Sequence, residues 1–322
     1  MRVLVIGGAG YLGSHVVRRL LANDVEVSVI DNFSTGQRDS LPKAVPIFSC
    51  DAGLIIGLED VLKKNAFDVA IHCAGLNGIG RSLEFPFHYY HNNFVATYYL
   101  LQTLIRHRVQ KFLFSSDFSV YGPQVVCPIE GKTPKRPWTP LGRSLVAVEE
   151  LLKDLTEANG LHHAILRVGN IAGADPSSVP KISPGSGFSR LLATIFEVAQ
   201  GKKEVLPIHG SKLPTEDGTP MRDYVHVVDV ADAYVKAIKT TGLENGAELL
   251  LGTGRPSSVL EVVAMAGNVV HRSIATEAAE PRKWEPASTF ADPSTTAHSI
   301  GWFPTRGLRE IVESSWRAIN IQ

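Results

Sequence analysis

Short apolar runs rich in β-branched residues recur along the first half of the chain, at Val3–Ile6, Val25–Ile30, Val45–Ser49, Asp68–Cys73, Lys111–Ser115 and His163–Val168. Continuous apolar runs of this length read as strands buried on both faces, and the segments between them carry helical spacing. Strand and helix in alternation predict an α/β fold, a Rossmann-type doubly wound parallel sheet. From Phe87 to His107 the pattern predicts one long helix, with Tyr90, Phe94, Tyr98, Leu101 and Ile105 on its core face. A second helix follows from Leu141, Leu145, Val148 and Leu152, which form another apolar face. Beyond Gly169 the texture shifts to loops rich in Gly, Ser and Pro, such as Asp175–Gly187 and His209–Thr219. The expected organisation is a dinucleotide-binding part over residues 1–168 and a smaller ligand-binding lobe over 169–322, interwoven with the first and lying over the carboxyl ends of the strands.

The chemistry-bearing motif follows the first strand: Gly7-Gly8-Ala9-Gly10-Tyr11-Leu12-Gly13, then a helical stretch from Ser14. Glycine is required where the turn is tight, where backbone approaches a pyrophosphate and where helix meets strand, while the helix N-terminus offers N–H groups to the anion. Asp31 closes the second strand at the distance of a ribose-binding acid. A carboxylate there accepts both ribose hydroxyls and repels an added phosphate, so the expected cofactor is NAD rather than NADP.

The bulk composition narrows the partners. The 322 residues carry 32 basic and 32 acidic side chains, a formal net charge of zero, which gives no electrostatic reason to expect nucleic acid or an anionic membrane. No apolar run approaches a span, and Cys50, Cys73 and Cys127 have no paired spacing, so a cytoplasmic protein with reduced thiols and no metal site is expected.

From Asp31-Asn32-Phe33-Ser34-Thr35-Gly36 onward the chain resembles the UDP-glucose 4-epimerase branch of the extended short-chain dehydrogenases. Cys73-Ala74-Gly75, Tyr89-Tyr90-His91-Asn92-Asn93, Phe114-Ser115-Ser116, Val120-Tyr121-Gly122 and the run Pro214 to Val227 carry the resemblance. It implies that Asp51 and Ala52 flank the adenine, that Ala74, Gly75 and Ser115 line the cofactor, and that Asn93 supports its nicotinamide side. It further implies a nucleotide-sugar partner of the UDP-hexose type, contacted by Asn170, Arg190, Leu191, Arg222 and Lys283, with Arg222 on the diphosphate. Pairing through the helices around Phe87–His107 and Ser144–Asn159 would make a homodimer.

The same resemblance exposes a gap. In the family a Tyr moves the hydroxyl proton, a Lys four residues on lowers its pKa, and a Ser or Thr steadies the substrate oxygen. Here Leu141 and Leu145 stand at the Tyr and Lys positions and Asp117 at the Ser or Thr position. Standard epimerisation should therefore be lost or rewired. Three readings follow: a non-catalytic NAD(H)-responsive protein, an enzyme of altered chemistry, or an epimerase using Asp117 as substitute acid/base, with Tyr121, Arg81 and His91 as lesser candidates. Val168-Gly169 in place of a family Tyr-Phe should open volume beside the nicotinamide, and Asn77 replaces a commonly basic residue.

Overall fold

The computed structural model describes residues 1–123, 126–176, 189–240, 246–282 and 285–320. Eleven α-helices and fourteen strands are described, numbered here in chain order. The central sheet uses β1 (Arg2–Ile6), β2 (Glu26–Asp31), β3 (Ile47–Ser49), β4 (Val69–His72), β5 (Lys111–Asp117) and β6 (His162–Val168). After these come the short β7 (Asn170–Ala172), β8 (Leu206–His209), β9 (Met221–Arg222) and β10 (Tyr224–His226), then β11 (Ala247–Leu251), β12 (Ser257–Ser258), β13 (Thr276–Ala279) and β14 (Ser288–Thr289). All seven strands of the main sheet are parallel, in the order β11-β6-β5-β4-β1-β2-β3.

The six runs read from sequence are thus strands of one sheet, and β11, from far down the chain, is a seventh that pairs with β6. Strand order reverses at β1, whose neighbours β2 and β4 lead away in opposite directions. A doubly wound sheet opens its ligand crevice at that point, outside the carboxyl ends of the strands.

Alternation along β1 sends Val3 and Val5 to one face and Leu4 and Ile6 to the other. The first face is covered by α1 (Tyr11–Leu21), through Val16, Val17 and Leu20, and by the helix Val227–Lys239. On the second lie α2 (Ile55–Lys64), the helical run from Pro86 to Arg106 and the helix Pro140–Asn159. A third apolar cluster, built on Leu192, Ile195, Phe196, Val262 and Ile311, forms the core of the later segment, and Tyr11 reaches into it.

The run over residues 87–107 departs from the expected single helix. After α3 (Ile79–Glu84) it is divided into α4 (Pro86–Tyr89), a π-helical turn over Tyr90–Val95 and α5 (Ala96–Arg106). A π-turn inserts an extra residue and rotates the faces that follow. The buried side chains are Tyr89, Asn93, Thr97, Leu100, Leu101, Thr103 and Leu104; of the five residues expected in the core, Leu101 is buried, Phe94 and Ile105 are partly buried against the core, and Tyr90 and Tyr98 are exposed.

The helix α6 (Pro140–Asn159) behaves as its pattern predicts. Thr139 caps it by accepting from the Gly142 N–H at 3.3 Å, Pro140 occupies the first turn, and Gly160 ends it in the left-handed conformation. Its buried face holds Leu141, Leu145, Val148 and Leu152. The remaining helices are α7 (Arg190–Ala199), α8 (Val227–Lys239), α9 (Val259–Val270), α10 (Ser294–Ile300) and α11 (Leu308–Asn320). Among the described residues no helix is long and apolar enough to cross a membrane.

Three buried histidines are held neutral by this packing. His15 accepts from the Asp175 N–H through Nε2 at 3.1 Å and donates from Nδ1 to the Tyr11 carbonyl at 2.8 Å. His226 accepts from the Val228 N–H at 3.1 Å, and His72 bonds Thr97 at 2.9 Å. Burial lowers each imidazole to about 4. The unfolded chain, with ordinary imidazoles near pKa 6.5, binds these protons first. The stability they confer is whole above about pH 6.5, falls as the pH drops toward about 4, and levels off below, with a slope of up to roughly 4 kcal/mol per pH unit for three protons. Urea unfolding across this window should show that decline; a flat profile above the carboxylate range would contradict it.

Candidate functional site

At the carboxyl end of β1 the chain turns so tightly that side chains have no room. A Cβ on Gly13 would lie 2.1 Å from the Gly7 carbonyl oxygen, and one on Gly7, whose φ is +76°, 2.5 Å from the Ala74 nitrogen. The turn delivers the start of α1 with Gly10 as N-cap, no side-chain cap and no acidic residue in the first turn. Uncapped N–H groups and the positive end of the helix dipole face the crevice, an arrangement suited to a pyrophosphate.

Asp31 ends β2 beside this turn. One carboxylate oxygen accepts from the Ala9 N–H and the other from the Phe33 N–H, both at 2.8 Å, and burial pushes its pKa up. Each oxygen keeps a further lone pair for a ribose hydroxyl. The loop Asn32 to Gly36 folds back over the glycine turn: the Gln37 N–H donates to the Ala9 carbonyl at 3.1 Å, and a Cβ on Gly36 would meet the Ala9 backbone at 2.7 Å. Asn32, Ser34 and Thr35 remain exposed on it. Asp51 is tied to this edge by the Asn32 amide at 2.8 Å, with half-buried Ala52 next to it.

Ala74 and Gly75 extend β4 on the far side of the crevice. Asn93 fixes them, accepting from the Leu76 N–H at 2.7 Å and donating to the Leu76 carbonyl at 3.0 Å. Its amide is thereby used in holding the loop. Two further residues of the expected cofactor site have their side chains bonded within the protein: the Tyr11 phenol donates to the Gly173 carbonyl at 2.5 Å, and the Ser115 hydroxyl pairs with Tyr234 at 2.5 Å. Leu12 is half-buried.

At the ends of β5 and β6 the surroundings turn apolar. Leu141 and Leu145 are 3% and 7% exposed and share one cluster with Phe118, Tyr121 and Ile129. The first turn of α6 docks on the turn Phe118–Tyr121 so closely that a Cβ on Gly142 would lie 2.5 Å from the Ser119 carbonyl oxygen. Asp117 caps that turn, its Oδ1 accepting from the Ser119 N–H at 2.6 Å, and burial raises its pKa. The open volume expected at Gly169 is not there. A Cβ at this position would meet the Asp223 carbonyl oxygen at 2.8 Å and the Phe118 ring at 3.1 Å, so the Asp223 backbone and the aromatic ring of the turn after β5 take up the room.

Beyond this lies a polar end. Arg222 on β9 donates to the Met221 carbonyl at 2.7 Å and pairs with Glu285 at 3.0 Å. Arg282 approaches the same carboxylate at 3.6 Å, which puts two guanidinium groups on one acid. Arg282 was missed from sequence; the expected neighbour, Lys283, lies outside the described residues. Asn170 is exposed on β7, and its N–H donates to the Asp223 carbonyl at 2.8 Å. Arg190 is exposed at the start of α7, near enough to the Tyr89 phenol to act on it electrostatically, and Leu191 is half-buried beside it. Tyr89 in turn donates to the Asn77 carbonyl at 2.6 Å.

A doubly wound sheet with this glycine cradle, a ribose-facing acid and an arginine-bearing second lobe defines a dinucleotide-dependent protein of nucleotide-sugar type. Residues 3–252 match the NAD dependent epimerase/dehydratase family. The UDP-glucose 4-epimerases of Bacillus subtilis and Caenorhabditis elegans are each 37% identical over 98% of this chain and cover 96% and 97% of their own lengths. The solved UDP-glucose-4-epimerase of Stenotrophomonas maltophila, with bound NAD and formylated UDP-arabinopyranose, superposes with a TM-score of 0.94 at 31% identity, over 100% of this chain and 98% of that one. That of Bifidobacterium longum, in complex with NAD+ and UDP, gives 0.93 at 31%, with the same coverage. The chain belongs to the UDP-glucose 4-epimerase family.

Proposed function

We propose that this chain binds NAD and a UDP-type nucleotide sugar but does not carry out 4-epimerisation at an enzymatic rate. The uncapped α1 N-terminus, the glycine turn and Asp31 fit NAD, and residues 1–168 form its lobe, interwoven with residues 169–322, which hold the Arg222 and Arg282 that fit the diphosphate. NAD, when bound, supplies the hydride acceptor.

The observation that carries the loss is the burial of Leu141 and Leu145 on one face of α6. Neither side chain can accept or return the sugar proton, and Leu145 cannot supply the cation that would lower the pKa of a phenol at position 141. Loss of one positioned acid/base group costs about 10² to 10⁴ in rate. A protein of this kind acts by binding, with occupancy of NAD and nucleotide as its output.

Asp117 favours a second reading, since burial helps its carboxyl keep a proton at neutral pH and so donate. One feature supports a homodimer in which the family's helices pair: Phe87, Tyr90, Tyr98 and Tyr99 are exposed along the run from Pro86 to Arg106. A cytoplasmic location fits the absence of a spanning helix among the described residues.

The test restores the missing pair. Heat-released cofactor should be NAD(H), and the double variant Leu141→Tyr, Leu145→Lys should convert UDP-galactose to UDP-glucose faster than the parent by at least about 10². Parent activity equal to that of the double variant, abolished by Asp117→Asn, would transfer the reading to Asp117 as acid/base.

A further inference from the structure

Resting on the nucleotide-sugar reading, we propose that the ligand is an amino-sugar nucleotide, whose ammonium group stands where a hexose carries its C4 hydroxyl and pairs with Asp117. This residue holds the position at which the family's Ser or Thr steadies the substrate oxygen. It ends β5 at its carboxyl edge, where the crevice opens, and is half-buried. Its Oδ1 accepts from the Ser119 N–H at 2.6 Å, while Oδ2 has no hydrogen bond among the described residues. One carboxylate oxygen is therefore open to a ligand.

That carboxyl has no counter-charge. Burial raises its pKa, and among the described residues no basic group acts against that rise. Arg167 is one register position away, as the partner of Ser116 across β5 and β6, but its donors go to Glu149, Glu248 and Tyr121. Ser119 helps little: its hydroxyl is buried, acts on Asp117 from nearby and makes no hydrogen bond. Phe118 and Val168, the chain neighbour and the register partner of Asp117, are buried carbon. The acid has lost much of its water without gaining a cation.

An ammonium answers that lack, and a hydroxyl does not. It brings the missing charge, and among buried carbon the pair is screened less than in water. Its three N–H groups suffice for both Oδ2 and the Ser119 oxygen, whereas a hydroxyl has a single proton to donate. Much of the carboxyl's desolvation is met on folding, so binding adds chiefly that of the amine. A carboxyl that starts protonated releases its proton to solvent as the ammonium binds. Leu145 fits the same ligand, because α6 docks on the turn that Asp117 caps and the family's lysine would set a like charge near the amine.

Calorimetric titration of the NAD-loaded protein with UDP-4-amino-4-deoxyglucose, UDP-glucosamine and UDP-glucose tests this. The 4-amino compound is expected to bind at least about tenfold, or 1.4 kcal/mol, more tightly than UDP-glucose. UDP-glucosamine, with its amine at C2, should stay within about threefold of UDP-glucose. In Asp117→Asn the amide oxygen can still accept from the Ser119 N–H, and the ratio should fall to about one; Leu145→Lys should lower it as well. Because each ratio is taken within one protein preparation, a variant that folds less well still reports it. Three results overturn the proposal while leaving the nucleotide-sugar reading intact: UDP-glucose bound as tightly as the 4-amino compound, an equal preference for the C2 amine, or a preference that survives Asp117→Asn. Failure of all three ligands to bind overturns both.

Discussion

The variant Gly13→Ala should lose most of its cofactor. The added methyl would lie 2.1 Å from the Gly7 carbonyl oxygen and 2.8 Å from the Gly8 Cα, against backbone on both sides, so no rotamer change relieves it. The turn itself has to open. Overpacking of this kind costs about 1–3 kcal/mol, and here the strain falls on the loop that presents the start of α1 to the pyrophosphate. NAD affinity should drop about five- to a hundredfold, measured by titrating cofactor-stripped protein. Gly131→Ala is the matched control, since a Cβ there meets nothing within 4 Å, and should leave affinity unchanged. Equal affinity in the Gly13 variant would show that the turn does not hold the cofactor.

The largest expected effect on stability lies in the α6–β6 contact. Arg167 is 1% exposed and Glu149 fully buried; Nε and Nη2 of the arginine reach the two carboxylate oxygens at 3.0 and 2.8 Å. Tyr121 accepts from Nη1 at 2.8 Å, Glu248 pairs with Nη2 at 2.8 Å, and Lys135 and Ser116 complete the shell of Glu149 at 3.1 and 2.6 Å. Removing one partner strands a buried charge, at a cost of about 3–5 kcal/mol, whereas replacing both with apolar groups leaves only the more exposed charges, with Glu248 still paired to Lys153 and Lys135 to Glu150. Arg167→Met should therefore lower the urea midpoint strongly, and Arg167→Met with Glu149→Leu should recover much of the loss. A single variant that unfolds within about 1 kcal/mol of the parent would mean that water, not packing, surrounds this pair.

Much of this architecture was legible because it rests on local rules. The runs around Val3, Val27, Ile71 and Phe112 could bury both faces only within a parallel sheet, and the glycine spacing before α1 has few alternatives. Leu141 and Leu145 were readable for the same reason, since a spacing of four keeps both on one helix face.

What the sequence hid depended on tertiary context. The strand β11 has no β-branched residue, and its Leu249, Leu250 and Leu251 fit a helix as well as a strand. The π-turn at Tyr90–Val95 changes which aromatic residues are buried without leaving a signal in the periodicity. Gly169 looked like open volume because its partner Phe118 lies far off in sequence, in the turn after β5, and only the packed fold brings the two together. Arg282 was passed over because nothing in the sequence pairs it with Glu285, and only the folded loop brings the two together.

The account turns on proton transfer, so conversion of UDP-galactose to UDP-glucose by the NAD-loaded parent protein is its most direct test. With typical turnover at about 10 s⁻¹ and a loss of at least about 10², the rate should stay below about 0.1 s⁻¹. Turnover at ten per second or faster, on the order of an ordinary enzyme, would contradict it and make two buried leucines irrelevant to the chemistry.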